Sequence, residues 1–275
     1  MGVHMICHFS QNRMQRFRLK KALLMGAFFG LANMVFQPLL ACQFNEIPSE
    51  LLVHKVQVES VYDGDTLFLH DGRKVRIIGI DTPELKRPVE AFSTEARDAL
   101  RGLLASQQNQ VYLQRGEDAY DHYGRLLAHV FLGDGRNVSE WMLTRGFATL
   151  LFIPPNLNYL NCYAAAEEYA QNQQLNIWKQ SHLKLYVADF LDKQHTGYTR
   201  VVARITRVKH HKKSLMIYLR GGIRVNIKAR DQGYFQHLNW DDLSGKRVSV
   251  TGILRKKGKF RTLHIRHPVY FKLSQ

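Results

Sequence analysis

Three short polar stretches carry most of the chemistry in this chain: Val61-Tyr62-Asp63-Gly64-Asp65-Thr66, Arg76-Ile77-Ile78-Gly79-Ile80-Asp81-Thr82-Pro83-Glu84 and Asp121-His122-Tyr123-Gly124-Arg125-Leu126. Together they supply carboxylates suited to a hard cation, one further carboxylate free to act as a base, and two arginines. A cation and two guanidinium groups can neutralise the charge that develops on a phosphorane, and a carboxylate can activate water. The combination is suited to phosphodiester hydrolysis. Glu84 follows Asp81 by three residues on a turn set by Pro83, so it can approach water beside a metal without being a ligand. Arginine presents a planar fork to phosphate and stays charged at any working pH.

The elements around these stretches read as strands and helices in a fixed order. Residues 51–80 alternate β-branched and apolar residues, with Asp71-Gly72 as a hairpin signal. Val89 to Ala105 carries apolar residues at helical spacing. Val111–Leu113 and Leu126–Leu132 read as strands. Asn137 is placed to cap a helix running to about Arg145, and another helix runs from about Leu157 to Gln174. Residues 181–197 read as a connector. Five further strands follow: 201–208, 215–219, 223–228, 248–254 and 261–265, with a helical interruption near Phe235–Leu243. The expected fold is mainly β with α (α+β): an OB-type five-stranded β-barrel with packed helices over residues 50–180. A second small OB-like β-barrel domain follows over 198–275.

The three motifs, with their order and spacing, resemble the staphylococcal nuclease (thermonuclease-like) family. Asn137-Val138-Ser139-Glu140, Arg145-Gly146-Phe147-Ala148 and Leu175-Asn176-Ile177-Trp178 extend the resemblance, which covers about Val53 to Trp178. It implies an OB-type barrel and calcium-dependent hydrolysis of DNA and RNA that leaves 3′-phosphate ends. By the same resemblance, Asp65 and Asp81 are calcium carboxylates and Thr82 is a ligand through its backbone carbonyl. Glu84 is the general base, Arg76 and Arg125 bind the phosphate, Tyr123 contacts a substrate phosphate, and Asp63 is an acidic neighbour of the metal. Two departures touch the substrate side. His122 stands where the family often has lysine, which makes one charge pH-dependent. A pair of family tyrosines appears as Phe152 and a proline, so base stacking falls to Phe152.

Charge divides the chain unevenly. The total is +16, made of +5 in residues 1–41, −5 in 42–197 and +16 in 198–275. An acidic nuclease-like domain is a poor unaided holder of a polyanion, which assigns a use to the basic C-terminal domain. Arg207, Lys209, Lys212 and Lys213 form one basic run, and Arg255, Lys256, Lys257 and Lys259 form another. OB barrels hold single strands in a basic groove with aromatic platforms. The same charges would also suit anionic lipid. Tyr218, Tyr234, Phe235, Trp240 and Phe260 are the aromatic candidates.

Residues 1–41 read as an export signal, with a basic Arg16–Lys21 segment and a short apolar run from Ala22 to Phe36; Met14 is an alternative start. Leu39-Leu40-Ala41-Cys42 resembles a bacterial lipobox, which would lipidate Cys42; ordinary cleavage and an uncleaved anchor are the alternatives. Each leaves the rest of the chain outside a bacterial cytoplasm. With three cysteines no disulfide framework is expected, and Cys162 reads as a small core residue. The expectation is an exported, monomeric, calcium-dependent endonuclease acting on DNA, RNA or both. The alternative is a non-catalytic nucleic-acid-binding module at the cell envelope.

Overall fold

The computed structural model describes residues 42, 44, 48–52, 54–86, 88–258 and 260–274. The expected leader and Lys259 of the second basic run lie outside the described residues. No helix among the described residues is long and apolar enough to cross a membrane.

A short helix α1 (Ser49–Leu52) leads into β1 (Lys55–Val61), β2 (Thr66–Leu69), β3 (Lys74–Ile77) and β4 (Gly79–Asp81). Helix α2 (Ser93–Ala105), strands β5 (Gln110–Tyr120) and β6 (Leu126–Phe131), helix α3 (Val138–Thr144), strand β7 (Thr149–Leu151) and helix α4 (Leu160–Asn172) follow. Strands β1, β2, β3, β6 and β5 close a barrel in that order. Its pairs are antiparallel except β3 with β6. Period-two alternation sends Val58, Leu67, Leu69, Val75, Ile77, Val111, Leu113, Ala128 and Val130 into the core. The Asp71-Gly72 hairpin forms as read, with Gly72 at φ 83°. Asn137 caps α3 by accepting from the Glu140 N–H at 3.1 Å. Helix α2 starts at Ser93 rather than Val89, because Glu90 is tied back to Glu84 in a loop. In that loop the Glu84 N–H donates to Glu90 Oε2 at 3.0 Å, and the Glu90 N–H donates to the Glu84 carbonyl at 2.9 Å.

The second half adds β8 (Leu185–Val187), β9 (Gly197–His211), β10 (Ser214–Leu219), β11 (Ile223–Lys228), β12 (Arg247–Lys257), β13 (Phe260–His264) and β14 (Phe271–Leu273). Strands β9, β10, β11, β13 and β12 form a ring closed by the β12–β9 pairing, and only β11 with β13 runs parallel. Position for position this repeats the first barrel's topology. Residues 181–197 do more than connect: β8 pairs parallel with β9, while β14 extends the sheet beyond β12. Neither short strand carries enough alternation to be read from sequence.

Cys42 and Cys162 form a disulfide, and Cys42 is buried. This corrects two expectations at once. A bridge is present despite the sparse cysteines, and a sulfur bonded to Cys162 is not free to carry a lipid. The bridge fastens the segment just after the expected leader to α4.

The second barrel also grips the first. The Tyr270 hydroxyl accepts from the Phe152 N–H at 2.6 Å. Arg266 joins the buried Asp231 carboxylate, at 3.1 Å, to the Pro154 carbonyl, at 3.2 Å. These contacts land just after β7. That strand pairs with β4, and Asp81 is the last residue of β4.

Candidate active site

The mouth of the first barrel is built where β2 and β3 begin to separate. Thr66 lies opposite Arg76 in the ladder, which sets Asp65 beside the Arg76 side chain. Asp65 is only 6% exposed, and both of its oxygens have partners. Oδ1 accepts from the Thr66 hydroxyl at 3.0 Å and pairs with Arg76 Nε at 3.2 Å. Oδ2 accepts from both the Thr82 N–H at 3.0 Å and the Thr82 hydroxyl at 3.1 Å. Gly64 permits this approach, because a Cβ there would stand 2.6 Å from the Thr82 methyl.

After β3 the chain turns at Gly79 (φ 91°), where a Cβ would also strike the Tyr163 ring at 2.3 Å. This turn brings Asp81 back to the same arginine: Arg76 Nη2 lies 2.9 Å from Asp81 Oδ1. Arg76 Nη1 donates to the carbonyls of Ile77 and Ile80, at 2.8 and 2.7 Å. One guanidinium therefore sits between the two carboxylates expected to hold calcium. Asp81 keeps half of its side-chain surface open but stands in a concave, charge-rich mouth. Its pKa is pushed up to about 6 by burial, against the pull of Arg76, with Asp65 and Glu84 adding repulsion. Asp63 accepts from the Asp65 N–H at 3.1 Å, and burial followed by repulsion from Asp65 pushes it up to about 6.

The candidate ligands are all oxygens, and the carboxylates of Asp65 and Asp81 converge on one guanidinium. Such an oxygen set suits a hard divalent cation. Among the described residues no group of three or more His, Cys, Asp or Glu side chains is arranged around one metal position. A shell of two carboxylates, a carbonyl and water does not need one.

Glu84 is exposed, and its carboxylate has no hydrogen-bond or ion-pair partner among the described residues. Its backbone is fixed by Glu90, so the free carboxylate projects from a held turn. Arg125 is positioned by Asp121: Oδ2 accepts from Arg125 Nε at 2.7 Å, and Oδ1 accepts from the N–H groups of Arg125 and Tyr123, each at 2.9 Å. Burial pulls the Asp121 pKa upward, but these bonds hold it below the ordinary carboxylate value. The Arg125 side chain lies 5.5 Å from the Tyr123 ring centroid, and the His122 and Tyr123 rings meet at a tilt with centroids 3.7 Å apart.

An open cleft of about 550 Å³ unites Asp63, Asp65, Arg76, Asp81, Glu84, Asp121, His122 and Arg125. Thr82 stands behind Asp65, and Tyr123 sits apart from the cleft lining at 73% exposure.

Other expectations do not gather there. Phe152 is 1% exposed and packs on Tyr163, so it is a core residue and offers no face to a base. The two basic runs lie at opposite ends of β9. Leu254 pairs with Gly197 at the start of that strand, whereas Lys212 and Lys213 turn beyond His211 at its end. Among the described residues of these runs, Arg255 lines the groove that adjoins the cleft, and none lines the cleft itself. Phe235 is fully buried, Trp240 packs on it, and Tyr218 lies under Arg207. Asp121, Arg266 and Tyr270 take positioning roles that sequence reasoning missed. The spacing of Asp121 and Arg125 was a usable signal for the first; nothing local marks the other two.

Comparison with known proteins bears on this site. Residues 74–180 match the family described as "Staphylococcal nuclease homologue". That span includes Arg76, Asp81, Thr82, Glu84, His122, Tyr123 and Arg125, and it ends before β8. The chain is 39% identical over 129 residues to a protein named Thermonuclease from Staphylococcus intermedius, covering 44% of this chain and 74% of that protein. It is 35% identical over 133 residues to Endonuclease YncB of Bacillus subtilis (strain 168), covering 46% of this chain and 62% of that protein. An uncharacterized endonuclease of Escherichia coli O157:H7 is 38% identical over 96 residues, or 58% of its length. The chain thus spans less than two thirds of YncB and of the Escherichia coli protein.

Proposed function

The chain belongs to the staphylococcal nuclease family, and from that premise we propose that it is an exported, calcium-dependent endonuclease hydrolysing phosphodiester bonds of DNA and RNA. The observation that carries this reading is the shared grip of Asp65 and Asp81 on Arg76 at the floor of the cleft. Three charged groups in one place, with Arg125 at the same cleft, suit a phosphate flanked by a cation.

Asp65, Asp81 and the Thr82 carbonyl would hold calcium, which when bound adds positive charge against the scissile phosphate. Arg76 and Arg125 bind the phosphate oxygens and stabilise the charge that grows on them. Asp121 keeps Arg125 Nε occupied, leaving its terminal nitrogens for the anion. Glu84, exposed and without a side-chain partner among the described residues, accepts the proton of the attacking water. Removing one charge-stabilising donor of this kind usually costs about 10²–10³ in rate.

The Cys42–Cys162 disulfide supports an extracytoplasmic location, since such bonds persist where the surroundings are oxidising. The charge of +16 in residues 198–275 supports a role for the second barrel in holding polyanionic substrate. The test is cleavage of heat-denatured DNA by the purified protein, with calcium and with EGTA, and end-group analysis of the products for 3′-phosphate. The alternative of a non-catalytic binding module would leave Glu84 without a use.

A further inference from the structure

A second groove, of about 250 Å³, opens between the two barrels beside the cleft. Asp81, Leu151, Ile153 and Arg266 line both, so the two are continuous. The first barrel contributes Ile153, which is 51% exposed; the second contributes Ile253, which is 46% exposed. Two large, solvent-facing isoleucines on one groove leave apolar surface that neither barrel covers. Arg255 and Arg266 place cations along the same walls, beside His264. Arg255, Lys228 and Arg224 also disfavour charge on His264, after burial, which marks a region of positive potential. Tyr198 lines the groove as well, and its buried hydroxyl has no hydrogen-bond partner among the described residues. Phe152 is buried against Tyr163 and offers no stacking face.

We propose that the groove is a nucleotide subsite of the substrate strand. One unstacked base lies against Ile153 and Ile253, and the neighbouring phosphate lies against Arg255. The occupant is a single strand, because only an unpaired base can enter an apolar slot while its phosphate meets a cation. The proposal rests on the nuclease reading of the cleft, since the strand that enters the groove is the one held there. The second barrel thereby supplies one wall of the substrate track.

Binding without cleavage tests this directly. The full chain in EGTA is titrated against fluorescently labelled dT3 and dT9 by anisotropy at fixed salt. In the unsubstituted protein, dT9 is expected to bind at least about tenfold more tightly than dT3, the scale of one added base contact. Ile253→Asp should reduce that gain to about threefold or less, while Ile253→Trp, which offers a larger platform, should preserve or enlarge it. A gain unchanged in Ile253→Asp and in Ile253→Trp overturns the subsite, whether or not the protein cleaves DNA. A gain that follows Ile253 in a protein that never cleaves supports the subsite and overturns the nuclease reading alone.

Discussion

Asp121 holds Arg125 by two hydrogen bonds from one residue, its backbone N–H at 2.9 Å and its Nε at 2.7 Å. The carboxylate thereby fixes both where the arginine leaves the chain and which edge of its fork faces the cleft. Asp121→Ala should lower kcat/KM by on the order of 10², close to the effect of Arg125→Ala. The double variant should be little worse than either single one, because the two residues act as a unit. Steady-state kinetics on all three variants checks this, and additive losses would contradict it.

Tyr270 reaches from the second barrel to the Phe152 N–H at 2.6 Å, just beyond the strand paired with the one that ends in Asp81. Tyr270→Phe keeps the ring and removes the acceptor. The buried N–H left behind should cost about 1–3 kcal/mol of stability. The slackened β7–β4 pair should reduce calcium-dependent cleavage by roughly tenfold to a hundredfold. Denaturant unfolding and kcat measured together check this prediction; full activity in a destabilised chain would separate the second barrel from the site.

Glu167 is buried and accepts from the Leu150 N–H at 2.7 Å, and burial pushes its pKa up to about 7. Its ordinary value is 4.5, so the folded state binds this proton more tightly than the unfolded chain does. The associated stability is fully present below pH 4.5 and is lost as pH rises toward and through 7. A shift of that size corresponds to about 3 kcal/mol. Glu167→Gln retains an acceptor for Leu150 and removes the titration. Relative to the unsubstituted protein, it should gain about 3 kcal/mol of unfolding free energy between about pH 4.5 and about pH 8. Chemical denaturation at both pH values checks this, and a pH-independent difference would refute it.

The Cys42–Cys162 bridge spans 120 residues of sequence. Closing so long a loop should stabilise the fold by about 3–5 kcal/mol. Cys162→Ser, or reduction with dithiothreitol, should lower the unfolding midpoint accordingly. Equal midpoints with and without reductant would show that the bridge carries no stability.

The first barrel was legible because its signals are local: alternation, the Asp71-Gly72 turn, the Asn137 cap and three polar motifs all act within a few residues. Asp65, Arg76, Asp81, Glu84 and Arg125 were legible for the same reason, and the cleft does bring them together. The second barrel could be read from five alternating segments, but β8 and β14 are three residues each and gain their structure from neighbours. Phe152 escapes such a reading because adjacent positions beside a short strand face opposite ways, and only the fold decides that Phe152 faces inward while Ile153 faces out. The disulfide joins two cysteines with no sequence proximity. The contacts of Tyr270 and Arg266 exist only once the barrels are docked, so no window of sequence contains them.

The most direct test of the nuclease assignment is hydrolysis of heat-denatured DNA by the purified protein, with calcium, with EGTA, and with Glu84→Gln in calcium. The expected result is calcium-dependent cleavage that EGTA abolishes and that Glu84→Gln slows by about 10²–10⁴, the range of a lost general base. Tight, salt-sensitive binding without cleavage in any divalent cation would contradict it and identify the chain as a binding module.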